Sequence, residues 1–115
     1  MRMIAAEITR EKLTLRLHQE LPYQLTVETE EWDDRKDGSA RIDQVIYVAR
    51  DGHKGIVLGN KGETVKAVGK AARVELQEML DRKVHLFLQV KVRPGWMTEA
   101  ARYSAIGLDF TDGKG

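Results

Sequence analysis

The chain has no cysteine, so no disulfide can staple it and no thiolate can hold a metal. That fits a reducing compartment such as the cytosol. It has only two prolines, Pro22 and Pro94, and both fall between periodic segments rather than within them. No run of about 18 apolar residues is present, so no segment reads as a membrane span, and the first residues lack the apolar stretch of a secretory signal. Repeats, linkers and low-complexity tracts are absent as well. Net charge is nearly absent too, since 19 Lys and Arg against 18 Asp and Glu leave +1, which points to no partner by itself. What remains is a globular composition, 42% hydrophobic and 32% charged, in 115 residues. That is the size of one domain with a modest core.

The charge is unevenly placed. Residues 50–73 carry six basic groups (Arg50, Lys54, Lys61, Lys66, Lys70, Arg73) against Asp51 and Glu63, a net +4. Residues 20–37 carry seven acids against Arg35 and Lys36, a net −5. Such an arrangement steers an anionic partner to one side of the molecule, although mixed surface charge is also ordinary in globular proteins.

Read in order, residues 3–20 form a helix, with Ile4, Ile8 and Leu15 on one stripe and Leu13, Leu17 and Leu21 on its neighbour. Pro22 ends it. Residues 24–32 alternate as a half-exposed strand, Leu25, Val27 and Thr29 to one side, and residues 41–50 form a second strand. Asp37-Gly38 between them signals a turn, so the two should pair as an antiparallel hairpin. A short helix over 53–58 follows, then a longer one over 63–80 with Val65, Val68, Ala72, Leu76 and Met79 as its buried stripe. Gly69 lies inside that helix at a cost of about 1 kcal/mol relative to alanine, which the close approach of a neighbouring element would explain. Residues 84–92 are the strongest strand, with Val84, Leu86, Leu88, Val90 and Val92 facing the helices and His85, Phe87, Gln89 and Lys91 facing away. Pro94-Gly95 turns the chain, a short helix is expected over 97–106, and 111–115 reads as a disordered tail after a domain spanning 1–110. The expected fold is α+β, ordered α-β-β-α-α-β, with helices on one face of a three-stranded sheet.

The rest of the chain is organised around Gly59-Asn60-Lys61-Gly62. Two glycines bracket two polar residues, and Ile56-Val57-Leu58 comes just before. Glycine lets another backbone come close, and the helix that follows offers free amides and the positive end of its dipole. A phosphodiester chain suits such a site. Other glycine-rich sites fit less well. The P-loop of nucleotide hydrolases would need glycine at Asn60 and a hydroxyl at Gly62, and no apolar strand leads directly into the segment. The dinucleotide fingerprint fails on spacing. A duplex-reading helix would have to place Glu63 against phosphate. Aliphatic residues beside a basic turn favour single strands, whose bases need an apolar wall and whose backbone needs donors.

The segment 55–73, G-I-V-L-G-N-K-G-E-T-V-K-A-V-G-K-A-A-R, resembles the GxxG core of a KH domain, a module that clamps about four nucleotides of a single strand. The element order resembles the bacterial, type II form. Further stretches resemble the C-terminal domain of Era-like bacterial GTPases: I-A-A-E-I-T-R-E-K-L (4–13), L-P-Y-Q-L-T-V-E-T-E-E-W (21–32), K-D-G-S-A-R-I-D-Q-V-I-Y-V-A-R (36–50) and V-H-L-F-L-Q-V-K-V (84–92). Together these span about residues 4–110. The resemblance implies an RNA-binding domain that works beside an N-terminal GTPase domain. It implies as partners the 3′ end of 16S ribosomal RNA and the 30S subunit, and a cytoplasmic protein that can associate peripherally with the inner membrane. The GTPase half is absent from this sequence, so Met1-Arg2-Met3 reads as the start of an excised domain, and no catalytic residue and no cofactor are assigned here.

On this reading Gly59 and Gly62 let the RNA backbone approach, and Asn60 and Lys61 contact phosphates. Ile56, Val57 and Val65 are candidates for the floor under the bases, with plain core packing the alternative for each. Lys54, Lys66, Lys70 and Arg73 are candidate backbone contacts, with a solvated helix face as the alternative. His18, His53 and His85 have no ligand spacing, so no metal site is expected. The competing function is a protein-interaction domain that docks a GTPase domain or a ribosomal protein through the acidic hairpin.

Overall fold

The computed structural model describes residues 1–18, 22 and 24–93. Helix α1 (Arg2–Leu17) is followed by strands β1 (Leu25–Asp34) and β2 (Ala40–Val48), helix α2 (Asp51–Leu58), a 3-10 turn (Asn60–Gly62), helix α3 (Glu63–Leu80) and strand β3 (Val84–Val92). The strands form one sheet in the order β1-β2-β3. The pairing β1–β2 is antiparallel, and β2–β3 is parallel from Ala40↔Val84 to Val48↔Val92. A parallel neighbour needs a crossover, and α2, the turn and α3 supply it. The helix expected over 97–106 and the tail over 111–115 lie outside the described residues.

β2 is the spine of the core. Its alternate residues Ala40, Ile42, Ile46 and Val48 are wholly buried under the helices. They divide between two apolar clusters. One gathers Leu13, Leu17, Leu25, Ile46, Val57, Val68 and Val90, and the other Ala5, Ile8, Ile42, Ala72, Leu76 and Val84. A polar layer runs between them. The buried Thr9 hydroxyl donates to Gln44 Oε1, Gln44 Nε2 donates to Thr29 Oγ1 (3.1 Å), and the Thr29 hydroxyl donates to the carbonyl of Arg2 (2.9 Å). Buried polar atoms need such partners, and this chain ties α1 to the sheet at one fixed position.

Three details differ from the periodicity. Ile4 and Leu15 are exposed, because the buried line of α1 runs Ala5, Thr9, Leu13, Leu17. Steps of four drift about 40° each around a helix of 3.6 residues per turn, so contact migrates along α1 and leaves Ile4 and Leu15 behind. The same drift along Thr64, Val68, Ala72 and Leu76 leaves Met79 exposed at the end of α3. In β1 the register passes from Thr29↔Gln44 to Glu31↔Asp43, which makes Glu30 the extra residue of a bulge. The bulge moves Trp32 to the helix-facing side, opposite Ile42, where it packs on the second cluster, and the strand runs on to Asp34.

Candidate nucleic-acid interface

The glycine turn joins α2 to α3 in three left-handed steps. Gly59 (φ 75°), Lys61 (φ 56°) and Gly62 (φ 76°) all have positive φ. The two glycines serve different needs. A Cβ on Gly59 would press on the Thr64 side chain and come within 2.8 Å of its backbone nitrogen, so glycine is required there for the turn to close. A Cβ on Gly62 would meet nothing within 4 Å. Open space therefore lies over Gly62, at the entrance to α3, and no side chain caps that helix. Asn60 and Lys61 are exposed beside it.

Beyond the turn, α3 and β3 enclose an open groove of about 390 Å³. Val65, Lys66, Gly69, Lys70 and Arg73 line it from α3; Leu86, Phe87 and Leu88 line it from β3. A Cβ on Gly69 would lie 3.5 Å from Leu88 Cδ1, an ordinary van der Waals contact, so β3 borders the helix here without requiring glycine. The groove wall on the strand side is also polar. The amide of Ala40 donates to the carbonyl of Lys83 and that of Arg93 to the carbonyl of Val48, so the odd-numbered residues of this segment aim their backbone groups at β2. By alternation, the N–H and C=O of Leu86 and Leu88 point away from β2, along the side of β3 that has no neighbouring strand among the described residues.

The structure thus gathers Val65, Lys66, Lys70 and Arg73 in one groove and puts Gly59, Asn60, Lys61 and Gly62 at the head of the helix that lines it. Lys54 and the partly exposed Ile56 sit on α2, outside the groove lining. Val57 is a correction. It is fully buried in the first of the two apolar clusters and presents no surface to a ligand, because its side of α2 is turned to the core. The sequence reading missed Leu86, Phe87 and Leu88 as groove residues. Only the sheet order shows that β3 borders this face of α3. Among the described residues, none of Lys54, Lys61, Lys66, Lys70 and Arg73 forms an ion pair.

The chain is 78% identical over 113 residues to GTPase Era of Dinoroseobacter shibae, covering 98% of this chain and 37% of that protein. It is 66% identical over 110 residues to GTPase Era of Brucella suis, covering 96% and 35%. It therefore spans about a third of the length of these relatives. Two solved structures superpose with a TM-score of 0.80 at 36% identity over 92% of this chain and 36% of theirs. One is an Aquifex aeolicus Era variant bound to GDP.AlF4-, and the other is Era in complex with MgGDPNP and nucleotides 1506-1542 of 16S ribosomal RNA. The KH domain family model matches residues 20–97, a span that takes in all three strands, the glycine turn and the helices on either side of it. By that match this chain belongs to the KH domain family.

Proposed function

We propose that this chain binds single-stranded RNA along the α3–β3 groove, and that it is the RNA-binding part of an Era-like GTPase that engages the 3′ end of 16S ribosomal RNA during small-subunit assembly. The observation that carries this reading is a set of cations, without ion-pair partners among the described residues, around an open, apolar-floored groove that begins at an uncapped helix N-terminus. The chemistry divides by surface. The amides at the head of α3, with Asn60, Lys61 and Lys66, meet phosphate oxygens. Val65, Gly69 and the leucines of β3 give the bases an apolar bed, and the outward N–H and C=O of Leu86 and Leu88 offer a donor and an acceptor to a base edge. The solved Era complex that contains 16S ribosomal RNA nucleotides supports the choice of RNA.

Hydrolysis of GTP belongs to a domain outside this sequence, and the chain itself needs no cofactor. The 30S subunit and a peripheral place at the inner membrane are proposed for the whole protein. No helix among the described residues is long and apolar enough to cross a membrane. The test is fluorescence anisotropy with the single-stranded 3′ tail of 16S ribosomal RNA, a scrambled sequence and the DNA equivalent. The native RNA should bind tightest, and its affinity should fall steeply with salt as bound counterions are released. Equal binding of all three would overturn the assignment of the target. No binding of any would overturn the function.

A further inference from the structure

Phe87 is out of place for a core aromatic. It lies on the face of β3 turned away from the helices, the residue is 49% exposed, and it still lines the α3–β3 groove beside Lys70 and Arg73. On its other side the Arg41 guanidinium lies 4.5 Å from the ring centroid and is itself held by Asp43 at 3.3 Å. The ring therefore stands at the point where the groove runs out over the edge of the sheet. It is braced by a cation and remains half exposed among the described residues. Burial does not hold it there, and an exposed phenyl ring braced in this way is the kind of surface on which a nucleobase stacks.

We infer that Phe87, backed by Arg41, is a separate stacking subsite for the nucleotide that follows the groove-bound tract, lying on the open face of the sheet beyond Arg73. The inference rests on the RNA-binding reading of the groove. It extends that reading from a clamp for about four nucleotides to a longer footprint that turns over the strand edge. Stacking on a phenyl ring tolerates any base, so this subsite adds length dependence rather than sequence preference. The exposed ring belongs to no core cluster, so its removal leaves the fold intact.

The test uses the whole 115-residue chain and three RNAs from the 3′ tail of 16S ribosomal RNA. They are a tetranucleotide that fills the groove and two octanucleotides that extend it at the 5′ or at the 3′ end. Titrations followed by amide NMR shifts report both affinity and fold. One octanucleotide should bind about tenfold tighter than the tetranucleotide. Phe87→Ala should abolish that gain and so weaken the octanucleotide far more than the tetranucleotide, Phe87→Leu should behave like alanine, and Phe87→Trp should keep the gain. The salt dependence should be the same with and without the ring, because no phosphate contact is lost. Equal weakening of tetramer and octamer by Phe87→Ala would make the ring an ordinary groove wall and overturn the subsite. So would octanucleotides that bind no tighter than the tetramer. Failure of the folded native chain to bind any of the three would instead sink the groove reading itself, and this subsite with it.

Discussion

The acidic hairpin and the basic groove carry comparable charge, and the structure treats that charge in opposite ways. On and around the hairpin several of the acids are held by neighbours. Asp34 accepts from Arg82 (2.6 Å) and from the Trp32 indole (3.0 Å), Glu28 faces Arg93 (3.4 Å), and Glu30 accepts from the Tyr47 hydroxyl (2.8 Å). Asp37 accepts from the amide and hydroxyl of Ser39, and so closes the turn. Around the groove, the cations of α3 and the turn have no such internal partners among the described residues. Charge that is already matched shapes the fold, whereas charge left unmatched attracts a ligand from outside. This difference favours the groove over the hairpin as the place where a partner binds.

The comparison breaks most readily at the turn. Replacing Asn60 and Lys61 together by aspartate puts two negative charges where phosphate should sit. Affinity for the RNA tail is expected to fall at least about a hundredfold, with the thermal transition nearly unchanged. Retained binding in that variant would move the site elsewhere. The two glycines sharpen the same point through stability. Gly59→Ala combines a positive φ with a collision against Thr64 and should cost about 3 kcal/mol. Gly62→Ala has only the φ to bear and should cost about 1 kcal/mol. Urea unfolding would rank them, and equal costs would mean that the Thr64 contact does not constrain the turn.

A single-cation change, Lys70→Ala, should weaken RNA binding by a few fold and reduce the slope of log affinity against log salt by about one. The hairpin counterpart, Asp33→Asn, should leave RNA affinity within about twofold and stability within about 0.5 kcal/mol, as for other exposed charges. A large loss of binding there would revive the hairpin as an interface. Two hairpin carboxylates resist acid. Hydrogen bonds from Trp32 and then Arg82 hold the Asp34 carboxyl below its ordinary range, and those from Ser39 do the same for Asp37. Both pKa values are lower in the folded than in the unfolded chain, so the stabilisation is complete above about pH 4 and is lost as pH falls through the folded values. In an acid titration followed by NMR the Asp34 and Asp37 carboxyls should titrate below the ordinary aspartate range, and midpoints within that range would remove this contribution to stability.

Local chemistry made much of this legible in the sequence. The ends of α3 and β3 follow from Gly62, from Asp81 in its left-handed conformation and from the strict alternation of 84–92. The turn and the cations of α3 could be read the same way. The rest depended on contacts between distant residues. The bulge at Glu30 exists because the pairing with β2 skips one residue, and nothing within β1 announces it. The exposure of Ile4, Leu15 and Met79 follows from how α1 and α3 cross the sheet. Val57 and Ile56 are adjacent and equally apolar, and only their places on α2 decide that one is core and the other surface. The strand side of the groove was hidden for the same reason, since sequence order does not reveal that β3 ends up at the sheet edge.

That edge also affects how the protein behaves when no RNA is present. The amides and carbonyls of Leu86 and Leu88, which have no strand beside them among the described residues, are a template on which the strand of another molecule could form. An oligonucleotide lying along the groove would occupy the same template. In concentrated solution the domain should therefore stay dispersed longer with its RNA than without it, the ligand acting as a guard against self-association.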